Sequence, residues 1–145
     1  MSSLPLPQVT PLRGGPVLRW GVLAPGAIAH DFVSTMHRNT DQRVRAVASR
    51  SAGRAAAFAA AHGIPRHYGS YERLVADPEI DVVYIPAPNS EHRNLALLAI
   101  AAGKHVLIEK PIALDAAEAI EIADSARAAG VFAMEAMWSR YLPPA

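Results

Sequence analysis

Trp20-Gly21-Val22-Leu23-Ala24-Pro25-Gly26-Ala27-Ile28-Ala29 is the stretch on which the fold turns. Val17, Leu18, Trp20, Val22 and Leu23 make a short apolar run that stops at Pro25-Gly26, and residues 27–36 then read as a helix. A buried strand, a tight turn and a helix form one β–α unit. The unit recurs along the chain. Strand patterns cover residues 44–48, 67–68, 81–85, 105–109 and 131–135. Helix patterns cover residues 53–62, 71–75, 91–102 and 115–129, with Gly63, Gly103 and Gly130 as stops. The longer strands are continuously apolar rather than alternating, which is the mark of a parallel sheet covered on both faces. Right-handed crossovers then make an α/β, doubly wound fold, with ligands at the carboxyl ends of its strands.

Composition narrows the class. At 145 residues the chain fits one domain, and 51% hydrophobic residues can fill a core. Fourteen basic residues against 13 acidic leave a net charge of +1. That balance gives no electrostatic reason to expect nucleic acid or a membrane surface. Cysteine is absent, so disulfides and thiolate metal sites are excluded. The six histidines are dispersed without paired ligand spacing, and no metal site is expected. The longest apolar stretch, residues 95–102, is too short to span a bilayer. Residues 1–16 are rich in Pro, Gly and Ser and lack the pattern of a secretory signal. The expectation is a disordered leader over 1–16 on a cytoplasmic protein.

The residues just after each strand carry the chemistry. The dinucleotide fingerprint is G-x-G-x-x-G/A. Ala24 stands at its first glycine position, Gly26 at its second and Ala29 at its last. Gly26 lets the backbone approach a pyrophosphate, and Ala27 and Ile28 open a helix whose free N–H groups attract anions. An ordinary tight turn explains the loop equally well. After the second strand comes Ala48-Ser49-Arg50-Ser51, with no carboxylate to hold a ribose 2′-hydroxyl. Hydroxyls with Arg50, and Arg54 a turn beyond, suit a 2′-phosphate, so NADP is expected over NAD. A solvated helix start is the bland alternative for both arginines.

Pro88 and Asn89 follow the fourth strand and can line the nicotinamide-ribose side of a cleft. His92 lies in the next helix, where a surface or capping role competes with a direct one. The fifth strand ends Glu109-Lys110-Pro111. A lysine delivered by a buried strand is not expected from packing. Its ammonium can orient a substrate hydroxyl, stabilise alkoxide charge and, with a lowered pKa, relay a proton. Glu109 can steady Lys110 or touch the cofactor ribose. A surface lysine before a helix-starting proline is the alternative.

Together these residues resemble the glucose–fructose oxidoreductase / inositol dehydrogenase / MocA (Gfo/Idh/MocA) family, N-terminal domain, from about Leu18 to Pro143. The most specific match is Ala102-Gly103-Lys104-His105-Val106-Leu107-Ile108-Glu109-Lys110-Pro111. The ending, Met134-Glu135-Ala136-Met137-Trp138-Ser139-Arg140-Tyr141-Leu142-Pro143, is similar to the subgroup with dihydrodiol and xylose dehydrogenases. Ala24 departs from the family's glycine. The resemblance implies NAD(P)-dependent chemistry on a hydroxyl or carbonyl of a sugar or cyclic diol. It implies Lys110 as the catalytic residue, Glu109 and Asn89 as cofactor contacts, and Trp138 and Arg140 near the substrate. It also implies a dinucleotide-binding domain over 17–137. Residues 138–145 would then start a linker to an α+β substrate domain that this sequence does not contain.

The expected function is therefore the cofactor half of an NADP-dependent oxidoreductase, inactive alone. The alternative is a stand-alone NAD(P)-binding regulatory or partner module. A doubly wound methyltransferase or nucleotide-sugar enzyme would bind at the same sheet edge, but the loop register and Glu109-Lys110-Pro111 argue against it. Phe132, Met134, Met137, Trp138 and Tyr141 form an apolar face that predicts self-association or a homo-oligomer.

Overall fold

A computed structural model describes residues 11–141. Residues 1–10 of the expected leader and residues 142–145 of the expected linker lie outside the described residues, as does the side chain of Tyr141. Residues 13–16 run beside the start of the domain. The Gly14 N–H and the Arg13 guanidinium donate to Asp41, and Gln42 donates to the Pro16 carbonyl at 2.8 Å.

The chain alternates β1 (Arg19–Leu23), α1 (Ala27–Asn39), β2 (Arg43–Ala48), α2 (Ala52–His62), β3 (Arg66–Tyr68) and α3 (Tyr71–Val75). It continues with β4 (Val82–Ile85), α4 (Asn89–Ala101), β5 (His105–Glu109), α5 (Ala116–Ala129) and β6 (Ala133–Ala136). A 3₁₀ turn, Trp138–Tyr141, follows. The strands form one parallel sheet in the order β3-β2-β1-β4-β5-β6. The chain winds outward from β1 to β3, then crosses back to β4 on the other side of β1. That reversal leaves a crevice between the carboxyl ends of β1 and β4.

Strand parity, reset in β2 by the register shift opposite Trp20 and Gly21, sorts the core into two layers. Leu23, Ala46, Val83, Ile85, Val106 and Ile108 face a layer that includes Leu74, Leu95 and Ile122 of α3, α4 and α5. Val22, Val44, Val47 and Tyr84 face the other, with Val33 of α1 and Phe58 of α2. Gly21 belongs to the first layer for lack of room: a Cβ there would stand 2.8 Å from a Leu74 methyl. That glycine is a packing residue of β1.

The element ends follow local chemistry. Ser51, Ser70 and Asp115 cap α2, α3 and α5 by accepting backbone N–H groups, and Gly63 and Gly130 close α2 and α5 in the left-handed region at φ 64° and 68°. Helix α4 begins at Asn89, two residues before the expected 91, because Pro88 supplies a suitable entry without donating an N–H. Among the described residues no helix is long and apolar enough to cross a membrane.

Candidate active site at the strand carboxyl ends

The first wall of the crevice is the turn after β1. Ala24 adopts φ 55°, the left-handed region that glycine enters freely. Its N–H donates to the Ala48 carbonyl at 2.9 Å, tying the turn to the end of β2. Gly26 is exposed, and the nearest neighbour of a Cβ there would be the Pro86 carbonyl oxygen at 3.6 Å, an ordinary contact. The protein's own packing therefore does not require this glycine. Helix α1 starts at Ala27 with no side-chain cap and no acidic residue in its first turn. Helix α4, across the crevice, also lacks a side-chain cap. The two uncapped helix starts flank the switch point, where free N–H groups favour an anion.

The second wall is the turn after β2. Ser49 is buried, and its hydroxyl accepts the Ser51 N–H at 3.2 Å. The Ser51 hydroxyl accepts the Arg54 N–H at 3.3 Å. Both hydroxyl hydrogens remain able to donate outward. Arg50 and Arg54 are exposed, and neither takes part in an ion pair among the described residues. No carboxylate stands in this turn.

The third wall joins the turns after β4 and β5. Pro88 and Asn89 are exposed at the start of α4. His92, one turn further, is fully buried. Its Nε2 lies 2.8 Å from the Ala87 carbonyl oxygen, and its Nδ1 lies 2.8 Å from that of Pro111. A neutral imidazole donates one of these bonds and an imidazolium donates both. His92 is thus inside the wall, neither a surface group nor one open to a ligand. It joins the turn that carries Asn89 to the turn that carries Lys110.

Lys110 itself is exposed at the end of β5, in no ion pair among the described residues. Its backbone is held on three sides. The Glu109 carboxylate accepts the Lys110 N–H at 3.2 Å, His92 meets the Pro111 carbonyl, and Glu135 of β6 accepts the Ile112 N–H at 3.0 Å. Glu109 is held in turn by Tyr84, whose hydroxyl donates to it at 2.7 Å. Burial first, then the neighbouring Glu109 carboxylate, keeps the Tyr84 phenol well above its ordinary pKa and so protonated. Phe32 of α1 stacks on the Tyr84 ring at 4.0 Å.

Tyr84 and Glu135 escape a reading by pattern. Tyr84 sits in an apolar strand run and reads as core. The available signal is that a buried tyrosine needs a partner for its hydroxyl. Half of the most specific motif is scaffold: Lys104 is buried, and its ammonium donates to the Asp77 and Ile80 carbonyls at 2.8 Å each. The His105 Nδ1 accepts the Phe132 N–H at 2.9 Å.

On the α1 face, β5 and β6 are left without a helix. Ile28, Glu109, Phe132, Met134 and Trp138 line an open apolar groove of about 990 Å³ there. Three expected site residues, Ile28, Glu109 and Trp138, therefore meet at one hollow. Phe132 and Trp138 are 64% and 70% exposed. Arg140 is exposed and stands 4.0 Å from Glu135, the residue that holds the Lys110 turn.

Known proteins share this fold. Residues 18–137 match the Gfo/Idh/MocA oxidoreductase family, described as having an NAD-binding Rossmann fold. Mouse (Mus musculus) trans-1,2-dihydrobenzene-1,2-diol dehydrogenase is 46% identical over 128 residues, covering 87% of this chain and 38% of the relative. The chain thus spans well under half the length of that protein. An NAD-binding oxidoreductase from Klebsiella pneumoniae superposes with a TM-score of 0.78 at 36% identity, over 83% of this chain and 34% of that one. Biliverdin reductase from Synechocystis, solved with biliverdin and NADP+, superposes with a TM-score of 0.71 at 30% identity, over 87% of this chain and 38% of that one. The strand order, the crevice at its switch point and the match over residues 18–137 make this chain a member of the Gfo/Idh/MocA oxidoreductase family, spanning its dinucleotide-binding Rossmann domain.

Proposed function

We propose that the protein serves hydride transfer between NADP and a hydroxyl or carbonyl carbon of a sugar or cyclic diol, and that these residues form its cofactor side. The observation that carries NADP over NAD is the turn after β2. Ser49, Arg50 and Arg54 stand where a ribose-binding carboxylate would otherwise be, and both guanidiniums lack a partner among the described residues. The Synechocystis relative, solved with NADP+, and the diol named for the mouse relative support the same reading.

The crevice fits a dinucleotide by its own geometry. A Cβ at Gly26 would meet only the Pro86 carbonyl oxygen, at 3.6 Å, and it would stand beside two uncapped helix starts, which suits a pyrophosphate. When bound, the nicotinamide supplies the hydride donor or acceptor. Ala24, Gly26, Ala27 and Ile28 would hold the phosphates, while Pro88, Asn89 and Glu109 would hold the nicotinamide ribose. His92 acts through the backbone that it fixes. Lys110 presents its ammonium from a turn clamped on three sides, so a substrate oxygen is oriented and its developing negative charge stabilised. Trp138 and Arg140 would bound the substrate side. A reducing, cytoplasmic setting fits the cysteine-free chain.

A paired fluorescence titration with NADPH and NADH tests the reading. Tight NADPH binding with weak NADH binding is expected. Equal affinities would overturn the role given to Arg50 and Arg54. The open groove favours a second reading, a cofactor-binding module completed by another chain. Under either reading the chain alone forms no NADPH from a trans-dihydrodiol; a specific partner chain recovered in a pull-down supports the second, and a clean monomer with no partner counts against it.

A further inference from the structure

Outside the crevice, two histidines meet on the outer surface of α1 and α2. His30 is the fourth residue of α1 and His62 the last of α2. The His30 Nδ1 and the His62 Nε2 lie 2.7 Å apart. Phe58 packs against both rings, with centroids 4.6 Å from His30 and 4.5 Å from His62, and is itself buried. It limits how far either ring can turn away. His30 is exposed and His62 half-buried, so the pair lies at the surface.

We propose that His30 and His62 form a two-histidine site for a divalent transition metal, bridging α1 and α2. Imidazole nitrogens bind zinc at about 2.0–2.1 Å, which in a tetrahedral shell places two of them about 3.3 Å apart. The two nitrogens need to part by only about 0.6 Å to admit an ion. Both must present lone pairs, so the proton between them moves to the other nitrogen of the ring that carries it, and neutral histidines release no net proton. Among the described residues no group of three or more His, Cys, Asp or Glu could hold a metal, so water completes the shell. Imidazole donors select nickel, copper or zinc over the oxygen-seeking magnesium or calcium.

Thermal unfolding of the untagged 145-residue chain tests the site. Zinc or nickel is expected to raise the midpoint, by an amount that grows with the logarithm of free metal, while magnesium leaves it unchanged. His30→Ala and His62→Ala should each abolish the shift, and His67→Ala should keep it. No shift with zinc or nickel, or a shift that survives either substitution, overturns the proposal. If a variant fails to fold, the copper-loaded wild-type chain still decides. Its paramagnetic resonance spectrum should show two coordinated imidazole nitrogens, and any other number counts against the pair.

Discussion

At the scale of single residues, Ala24 holds a left-handed backbone, φ 55°, with a methyl group that disfavours it. Left-handed backbone costs a residue other than glycine about 1–2 kcal/mol, part of which a glycine loses again through its freer unfolded chain. Ala24→Gly is therefore expected to stabilise the chain by about 0.5–1 kcal/mol in urea unfolding. An unchanged or lowered midpoint would mean that the Ala24 methyl makes a compensating contact. Arg50 gives a second prediction. A charge-assisted hydrogen bond is worth about 1.5–3 kcal/mol, so Arg50→Ala should weaken NADPH binding by about 10- to 150-fold. NADH binding should hardly move, because it lacks the phosphate that Arg50 would meet. Parallel losses for both cofactors would show that Arg50 holds the turn rather than the phosphate.

At the scale of elements, the turn after β5 is not self-supporting. Three side chains from β5, α4 and β6 fix Lys110-Pro111-Ile112. His92→Ala removes the imidazole that lies between the Pro111 and Ala87 carbonyls, and it empties a buried ring. An unsatisfied buried polar group costs about 1–3 kcal/mol, so a loss of about 2–4 kcal/mol is expected once the cavity is added. Cofactor affinity should fall with it, although His92 touches no cofactor in this reading. A fully stable His92→Ala variant in chemical denaturation would refute the clamp. The Tyr84 hydroxyl acts one step further out, on Glu109. Its Phe variant should leave the fold intact and loosen only the nicotinamide end.

At the scale of the whole molecule, β1 and β4 are tied where they begin. Two Asp81 carboxylate oxygens accept from the Arg19 guanidinium at 2.6 and 2.9 Å, and the Arg19 N–H adds a bond at 2.8 Å. The Arg19 hydrogen bond is the main cause that draws the Asp81 pKa from its ordinary 3.8 down to about 2, against the opposing effect of burial. A carboxyl whose folded pKa is depressed stabilises the fold fully above its unfolded pKa and loses that contribution as pH falls through the folded one. The chain should therefore lose stability between about pH 4 and pH 2, and Asp81→Asn should flatten that limb of the pH profile. An identical acid limb in the variant would assign it to other carboxylates. The open groove predicts a different behaviour. Phe132 and Trp138 are 64% and 70% exposed on one apolar face. Contiguous surface of this kind binds apolar dyes and drives association. Sedimentation should show concentration-dependent self-association, reduced together with anilinonaphthalene sulfonate fluorescence in a Phe132→Ser, Trp138→Ser variant.

Much of this protein was legible in the order of its residues, because strand and helix patterns, glycine stops and Pro-X turns are local. Residues 105–109 read as a strand and residues 71–75 as a small helix from local pattern, and they are so in the structure. Local pattern also brought Gly26, Ser49, Arg50 and Lys110 to strand ends, since a parallel sheet puts every such end on one edge. What faces what across that edge is not local. Residue spacing gives no hint that His92 reaches Pro111, that Tyr84 holds Glu109, or that His30 lies 2.7 Å from His62, 32 residues away. Those pairings depend on the strand order β3-β2-β1-β4-β5-β6, which sets neighbours from distant parts of the chain side by side. Periodicity decides which face of an element a side chain occupies, and only the packed sheet decides what meets it there.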